Sequence, residues 1–384
     1  MNQPSVKQNR ARGQVISFMQ GRLASLDVFR GFAIVIMILL NNLGNNANYS
    51  ILLHADWNGL TLADVVFPFF LFVVGAAIPY SLTSKLERGQ NKKQLLFRIG
   101  RRTIILFALG VFLNGYPYFD LSTIRIMGVL QRIALCYFAA SAIFLTLNQR
   151  KHLLTTILLA LLYWILMSMI PVPGYGAGVL DKNGNLAAYI DRILLPGHLY
   201  AGTWDPEGFL STVPAIATTM LGVLTTEYLM LNHSSKNKST NLLLLGILMI
   251  SIGTAWNLSF PINKNLWTSS YVALTGGIAL IIFDLFYYII DLKKRQWWVK
   301  PLIIFGLNAI TAYVLSEIMN FTLAYTNINL NDGTSLSLKA LIFERYFASW
   351  AGPLNGSLFY AIVYLLLWLG IMTIFYKRRI FIKI

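Results

Sequence analysis

The chain has 384 residues, of which 56% are hydrophobic and only 12% carry a charge, and its mean hydropathy is +0.61. Soluble domains contain about 25% charged residues, and a soluble core built from a chain of this length has too little interior to hide so much apolar sequence. The composition therefore excludes an ordinary soluble protein and favours a protein whose solvent is lipid.

Ten apolar runs are long enough to cross a bilayer as helices, which takes about 20 residues each. They are longer than the strands of a membrane barrel and do not alternate as those strands do. The sequence therefore predicts an all-α, polytopic transmembrane bundle of about ten helices. A shorter apolar stretch near 336–350 is interpreted as a loop, with a re-entrant or interfacial segment as the alternative. The predicted spans are 31–47, 62–83, 99–115, 126–147, 153–171, 208–230, 241–259, 268–290, 301–323 and 355–376.

The net charge of +16 is concentrated on one side of the predicted bundle. With ten spans, the N-terminus, the even-numbered loops and the C-terminus share one side, and 24 of the 31 lysines and arginines fall there. Because basic residues accumulate in cytoplasmic loops, both ends are predicted to be cytoplasmic, and no nucleic-acid partner is expected. The extracytoplasmic loops are then about 48–61, 116–125, 172–207, 260–267 and 324–354.

The chain reads as one membrane domain, 23–384, preceded by a basic cytoplasmic tail at 1–22. The first 30 residues lack the small-residue cleavage site of a signal peptide, so the first helix is expected to be an uncleaved anchor. The Gly- and Pro-rich loop 172–207 is expected to fold over the outer mouth of the bundle as a lid. The single cysteine, Cys136, supports neither a disulfide nor a zinc site, and no metal is predicted.

The densest polar cluster lies between the first two predicted helices. His54 falls just outside the first helix, and Asp64 follows ten residues later in the first turn of the second. A histidine beside a carboxylate suits general-base chemistry, because the carboxylate fixes the tautomer and stabilises the charged ring. Thr61 and Asp64 also fit a capping box, so Asp64 has a purely structural alternative.

Polar side chains within membrane helices are costly and need partners or a cavity. Asp27 and Arg30 lie three residues apart at the cytoplasmic start of the first helix, either as a local ion pair or as an anchor for an anionic ligand. Gln131 and Arg132 open the fourth helix and either snorkel or line a cavity. Glu317 in the ninth helix either faces a cavity or pairs with Arg132.

Trp204, Asp205 and Glu207 meet at the outer entrance to the sixth predicted helix. An aromatic ring beside carboxylates is typical of a sugar-binding surface, where the ring stacks and the acids accept hydrogen bonds. Pro206 and Glu207 would equally make an ordinary helix start.

Five strings found in this order carry a family resemblance: "RLASLDVFRG", "HADWNGLTLADVVFPFFLFVVG", "IRIMGVLQRIA", "WDPEGFLSTVPAI" and "GLNAITAYV". With them the chain resembles the heparan-α-glucosaminide N-acetyltransferase family of transmembrane acyltransferases from about Arg22 to the last helix. It looks like a bacterial inner-membrane member without the luminal N-terminal domain and extra helix of animal members. The resemblance implies acetyl transfer from cytosolic acetyl-CoA to the amine of a terminal glucosamine on the far side, and suggests a homodimer.

The resemblance also implies roles for individual residues. The family's catalytic His falls on His54, its acid on Asp64 and its Asn on Asn41, with Asn42 as the alternative; Ser316 stands where animal members carry a His. We expect His54 either to deprotonate the amine or to carry the acetyl group itself, and Asn41 to donate to the oxyanion. Predicted acetyl-CoA contacts are Arg30, Arg98, Arg101, Arg102, Gln131 and Arg132. Predicted sugar contacts are Trp57, Asn58, Trp204, Asp205, Glu207, Asn308 and Glu317.

The competing class is a transporter for amino sugars or glycan fragments. It explains the helix number, the polar groups within spans and the acidic outer mouth, but not why the polar cluster centres on a His–Asp pair.

Overall fold

A computed structural model describes residues 23–45, 47–329 and 335–382, and within these ranges the chain is almost entirely helical. The predicted tail 1–22 lies outside the described residues. The helices are α1 Ala24–Asn41, α2 Leu62–Glu87, α3 Lys92–Gly115, α4 Val129–Thr146, α5 Gln149–Met169, α6 Leu186–Leu194, α7 Thr212–Met230, α8 Ser235–Trp256, α9 Ser269–Phe286, α10 Lys300–Leu307, α11 Ala309–Tyr325, α12 Leu338–Phe343 and α13 Ser349–Lys377.

Short elements complete the described chain. A 3₁₀ turn covers Ser50–Leu52, and π-helical segments cover Tyr287–Leu292 after α9 and Glu344–Ala348 after α12. The strands β1 Asn327–Asn329 and β2 Ser335–Ser337 pair antiparallel, with Ile328 opposite Leu336. They form a small ribbon after α11 and contribute nothing to the bundle core.

The predicted fold class is confirmed, with a different count of spans. Eight described helices are long and apolar enough to cross a membrane, and α10 with α11 makes a ninth if the bent pair counts as one span. The remaining predicted run, 99–115, lies in the 24-residue α3, whose first half carries lysines and arginines. Because of these charged residues, α3 does not meet the criterion of length and apolarity that the eight spans meet.

The structure differs from the predicted spans at two places. The predicted span 301–323 is broken by an 82° bend between α10 and α11. At the bend, the Asn308 amide donates to Ile380 O (3.0 Å) and accepts from Ile382 N (3.1 Å), so contacts with the C-terminal segment replace those of a continuous helix. The stretch 336–350, interpreted as a loop, is largely helical, and Gly352 at φ 72° interrupts the last span near its start.

The centre of the bundle is α2, of which 83% of the most apolar window is buried, against 22% for α5 and α8 at the periphery. An aromatic cluster joins it to its neighbours: Phe29 of α1 lies 5.4 Å from Phe69 and 6.1 Å from Phe72 of α2, centroid to centroid. Phe283 of α9 packs against both Phe29 and Phe72. These rings fix α1, α2 and α9 relative to one another.

Glycines let α2 and α7 pack backbone to backbone. A Cβ on Gly75 would lie 1.8 Å from Thr219 O, and one on Gly222 would lie 2.0 Å from Phe72 O. Small residues serve this purpose between membrane helices, where lipid removes the hydrophobic drive to associate and close packing replaces it. The starts of both helices, and the loops that precede them, are thereby held at fixed positions.

The loops following α1, α3, α5 and α8 meet at one end of the bundle. We call this assembly of residues 42–45, 47–61, 116–128, 170–211 and 257–268 the loop cap. Gly59 N donates to Ile262 O (2.8 Å), Ile126 N to His198 O (3.3 Å), and Trp57 Nε1 to Leu180 O (2.8 Å). The loop expected to act as a lid contains α6 and is packed into this assembly.

Candidate active site

His54 and Asp64 form the predicted pair in the loop cap. His54 Nδ1 lies 2.8 Å from Asp64 Oδ1, while Asp64 Oδ2 accepts from Ala55 N (3.1 Å) and Thr61 N (3.0 Å). The predicted capping box is therefore present together with the His–carboxylate contact, one carboxylate oxygen serving each. Asp64 is buried, whereas 55% of the His54 side chain is exposed. With Nδ1–H donated to Asp64, Nε2 is the ring nitrogen that carries the lone pair and can accept a proton.

Lys264 is a third member of this site that the sequence analysis missed. Its Nζ lies 3.0 and 3.1 Å from the two ring nitrogens of His54 and 3.8 Å from Asp64 Oδ1, with 15% of the side chain exposed. An ammonium equally distant from both nitrogens lies over the ring, not in line with one lone pair. Burial lowers the pKa of Lys264, against the attraction of Glu207 and Asp64. The sequence held one signal for Lys264: it lies on the predicted extracytoplasmic side, where the positive-inside rule predicts few basic residues.

Asp205 and Glu207 are buried and bound to Arg125. Arg125 Nε donates to Asp205 Oδ2 (2.8 Å), Nη2 donates to Asp205 Oδ1 (2.5 Å), and Nη2 also donates to Glu207. Burial opposes the charge, but these carboxylates raise the pKa of Arg125 above its usual value. Burial likewise opposes ionisation of Glu207, yet Arg125, Arg132 and Lys264 hold its pKa low. The two acids are therefore buried in ion pairs. The sugar-binding prediction, in contrast, placed them on a surface that a sugar can reach.

Arg132 points into the bundle and does not snorkel, since its side chain is fully buried. Nη2 donates to Gly208 O (3.1 Å) and to Ser211 Oγ, and the guanidinium lies 5.0 Å from the Trp267 ring centroid. Nε and Nη1 have no hydrogen-bond partner among the described residues. The bridge from Arg132 to Glu317, one of two alternatives, is not formed.

A cavity of about 130 Å³ lies between α3, α4 and α11 and is lined by Asn114, Arg125, Gln131 and Glu317, among others. Gln131 is fully buried, and neither its amide oxygen nor its amide nitrogen has a partner among the described residues. The cavity-lining alternative for Gln131 and Glu317 is therefore the one observed. An unpartnered buried amide costs about 1–3 kcal/mol, which makes it a natural contact for a polar ligand.

Neither candidate asparagine contacts His54. Asn41 Nδ2 donates to Glu317 Oε1 (2.9 Å), and Asn42 Nδ2 donates to Ile38 O of its own helix (2.7 Å). Asn41 is thereby connected to the cavity at Gln131 and not to the His–Asp pair, so the oxyanion role assigned to it has no support in this geometry.

Five of the predicted sugar contacts lie in the loop cap: Asp205 and Glu207, described above, and Trp57, Asn58 and Trp204. The rings of Trp57 and Trp204 meet edge to face with centroids 5.1 Å apart. Asn58 Oδ1 accepts from Asn263 Nδ2 (3.0 Å), and Asn263 precedes Lys264. Asn308, in contrast, lies at the bend between α10 and α11 and contacts the C-terminal segment.

The predicted contacts for acetyl-CoA phosphates lie at the opposite end of the bundle. Arg98, Arg101 and Arg102 are exposed on the first half of α3, and Lys85 of α2 is close enough to Arg98 and Arg102 for electrostatic repulsion. Arg30 forms the predicted ion pair with Asp27 (3.0 Å). At 1.5 Å per residue, Lys85 lies roughly 30 Å along α2 from Asp64, about the thickness of the hydrocarbon core.

No metal-binding cluster of three or more His, Cys, Asp or Glu side chains is present in the described part of the chain. The residues that surround His54 are suited to proton transfer and to binding polar or charged organic groups.

Comparison with known proteins agrees with the resemblance seen in the sequence. The family profile described as heparan-alpha-glucosaminide N-acetyltransferase, catalytic, matches residues 22–260. The human heparan-alpha-glucosaminide N-acetyltransferase is 31% identical over 433 aligned residues, covering 96% of this chain and 61% of the human protein. The mouse protein of that name is 32% identical over 354 residues, covering 78% of this chain and 54% of the mouse protein. The chain thus spans less than two thirds of either relative, and it belongs to the heparan-α-glucosaminide N-acetyltransferase family.

Proposed function

We propose that this protein is a membrane acetyltransferase that moves acetyl from acetyl-CoA, bound from the basic end of the bundle, to the amine of a glucosamine-type sugar at the loop cap. The observation that carries the proposal is the His54–Asp64 pair, in which Nδ1 of a half-exposed imidazole faces a buried carboxylate. The names of the human and mouse relatives support the reaction class and the amino-sugar acceptor.

In the proposed step, the sugar amine attacks the thioester carbonyl, a C–N bond forms, and the C–S bond breaks. His54 Nε2 takes the proton from the amine and returns it to the departing thiolate. Asp64 holds the ring and stabilises the imidazolium that forms, because it accepts from Nδ1. The competing route, in which Nε2 itself attacks the thioester and carries the acetyl group, uses the same ring and the same anchor.

Lys264 is the cation nearest to this chemistry and the candidate for stabilising the tetrahedral oxyanion. Its Nζ is within 3.1 Å of both ring nitrogens of His54, whereas the Asn41 amide is engaged by Glu317. A charged donor placed where negative charge develops contributes about 3–4 kcal/mol in comparable sites.

We propose that acetyl-CoA is contacted at two places: the basic end of the bundle and the neighbourhood of the cavity at Gln131. Arg98, Arg101 and Arg102 offer charge for the phosphates at the basic end. The unpartnered amide of Gln131 and the unpartnered N–H groups of Arg132 offer hydrogen bonds for amide and carbonyl groups of the arm that carries the acetyl.

One feature favours the transporter as a second candidate. The α10–α11 pair is a discontinuous helix with an 82° bend, and broken helices line substrate sites in many transporters. A transporter does not require an anchored, accessible imidazole, so His54 is the residue that separates the two functions.

The test is acetyl transfer from labelled acetyl-CoA to glucosamine and to glucosamine oligosaccharides by protein purified in detergent. We expect product from wild type and a loss of at least about 10²-fold in His54→Ala. His198→Ala is the matched control, because His198 is also in the loop cap but its Nδ1 contacts only a backbone carbonyl, Ile124 O (2.8 Å). Full activity in His54→Ala would overturn both versions of the mechanism. Uptake of labelled glucosamine into proteoliposomes without acetyl-CoA, and no acetylated product, would establish the transporter instead.

A further inference from the structure

A second and larger cleft opens in the loop cap beside the cavity at Gln131. Its volume is about 460 Å³, within the range of small-molecule sites, about 300–1,000 Å³. Asn114 and Arg125 line both spaces, so the cleft adjoins the cavity through shared walls.

Four tyrosines from three separate segments surround this space, which we call the tyrosine cleft. Tyr116 and Tyr118 follow α3, Tyr200 belongs to the long loop, and Tyr325 ends α11. The side chains are unusually open for aromatic residues: Tyr118 is 73% exposed and Tyr200 64%. Tyr118 and Tyr325 meet edge to face at 5.4 Å. An aromatic belt at a membrane surface places single rings against lipid, whereas these rings enclose a concave space.

The charged groups in and beside the tyrosine cleft sum to a net negative charge. Hydrogen bonds from Ser122 hold the pKa of Asp120 below its usual value, so this exposed carboxylate is charged at neutral pH. Arg125, the cation in the lining, already binds Asp205 and Glu207 and lies 4.7 Å from the Tyr200 ring centroid. With Arg125 neutralised by two carboxylates, the cleft favours neutral or cationic ligands and disfavours sulfated ones.

A row of rings connects the tyrosine cleft to the neighbourhood of His54. Tyr200 lies 6.5 Å from Trp204, and Trp204 lies 5.1 Å from Trp57, which is three residues after His54. Aromatic faces and tyrosine hydroxyls suit the C–H faces and hydroxyl edges of pyranose rings. A glycan extending from the reacting end would thus meet apolar faces and hydrogen-bonding groups along its length.

We propose that the tyrosine cleft is a glycan subsite that binds the sugar residues adjoining the reacting glucosamine, and that it selects unsulfated, neutral or cationic amino-sugar oligosaccharides. The inference rests on the proposed function for the identity of the reacting end. The subsite itself stands on the cleft, its rings and its charge.

The experiment measures binding in detergent by calorimetry, without acetyl-CoA, so that it does not depend on catalysis. The probes are glucosamine, its unsulfated β-linked disaccharide and trisaccharide, and a sulfated disaccharide. The variants are Tyr118→Ala and Asp120→Asn, both at exposed positions, with Tyr175→Ala as the matched control, an exposed tyrosine of the long loop outside the cleft.

We expect the unsulfated trisaccharide to bind at least about tenfold more tightly than glucosamine, and Tyr118→Ala to remove that gain while Tyr175→Ala keeps it. Asp120→Asn should reduce the ratio of the affinity for the unsulfated disaccharide to the affinity for the sulfated one. Equal affinity for the monosaccharide and trisaccharide, preference for the sulfated probe, or wild-type affinities in Tyr118→Ala would overturn the inference. Cleft-dependent binding without acetyl transfer would support the subsite and overturn only the acetyltransferase proposal.

Discussion

Replacing Lys264 by Met should lower kcat for acetyl transfer. The Lys264 ammonium lies 3.0 and 3.1 Å from the ring nitrogens of His54, so in the proposed step it is the cation nearest to the oxygen that becomes negative. The contact between His54 and Asp64, at 2.8 Å, does not pass through Lys264. The interaction lost in Lys264→Met is therefore the one with the developing oxyanion.

The size of the loss follows from what one such donor contributes. Removing a single donor that faces a developing oxyanion costs about 2.7–4 kcal/mol in comparable sites. Because only 15% of the Lys264 side chain is exposed, water has little room to replace the ammonium. At about 1.36 kcal/mol per tenfold change in rate, the expected loss in kcat is about 10²–10³-fold.

The assay is kcat for acetyl transfer from acetyl-CoA to glucosamine by folded protein in detergent. Lys264→Arg keeps the charge and should retain more activity than Lys264→Met. Lys182→Met is the matched control, since Lys182 is also a loop-cap lysine near a carboxylate, 3.5 Å from Asp56. Wild-type kcat in Lys264→Met would refute the electrostatic reasoning, and an equal loss in Lys182→Met would assign the effect to overall charge.

Three further predictions follow from other contacts. Asp64→Asn should lower kcat by about 10²–10⁴-fold in the transfer assay, because an amide cannot cap α2 and accept from His54 in the same way; activity near wild type would contradict the role of the pair. Gly75→Ala should cost about 1–3 kcal/mol in detergent unfolding, since its Cβ would meet a backbone carbonyl, whereas Gly370→Ala, with nothing within 4 Å, should cost little. Burial raises the pKa of Asp191 to about 7, against about 3.9 in an unfolded chain. The folded state thus retains a proton that the unfolded state has lost, and the free energy of unfolding should fall as pH rises from about 4 to about 7. Asp191→Asn should remove that fall in thermal melts, and an unchanged slope would contradict the assignment.

The helices were predictable from sequence because lipid leaves the backbone few alternatives to a helix. The His54–Asp64 pair was predictable for a different reason. Its members are ten residues apart, and the capping box with Thr61 fixes the carboxylate at the start of α2, facing the chain that leads into it. Local rules were sufficient in both cases.

Contacts between distant segments were not predictable in the same way. Asn41 and Glu317 are 276 residues apart, and Lys264 and His54 are 210 apart. Gly306 and Asn308 are weak helix formers, but they do not by themselves predict an 82° bend, which depends on contacts with the C-terminal segment. Such pairings follow from how the helices pack, which the hydrophobic pattern alone leaves undetermined.

The charged groups of the candidate site balance one another, and this balance bears on its chemistry. Three carboxylates and three cations of the described chain are linked by ion pairs or short-range electrostatic interactions. They are Asp64, Asp205, Glu207, Arg125, Arg132 and Lys264. Removing one member leaves an uncompensated charge in a poorly hydrated place, which is costly when the site is buried. In the proposed step, a proton that passes from a sugar amine to His54 and then to a thiolate leaves this balance unchanged once the step is complete. We propose that the six groups act as a set for this reason: their charges compensate one another, so His54 can gain and lose a proton beside them without leaving any of them unpaired.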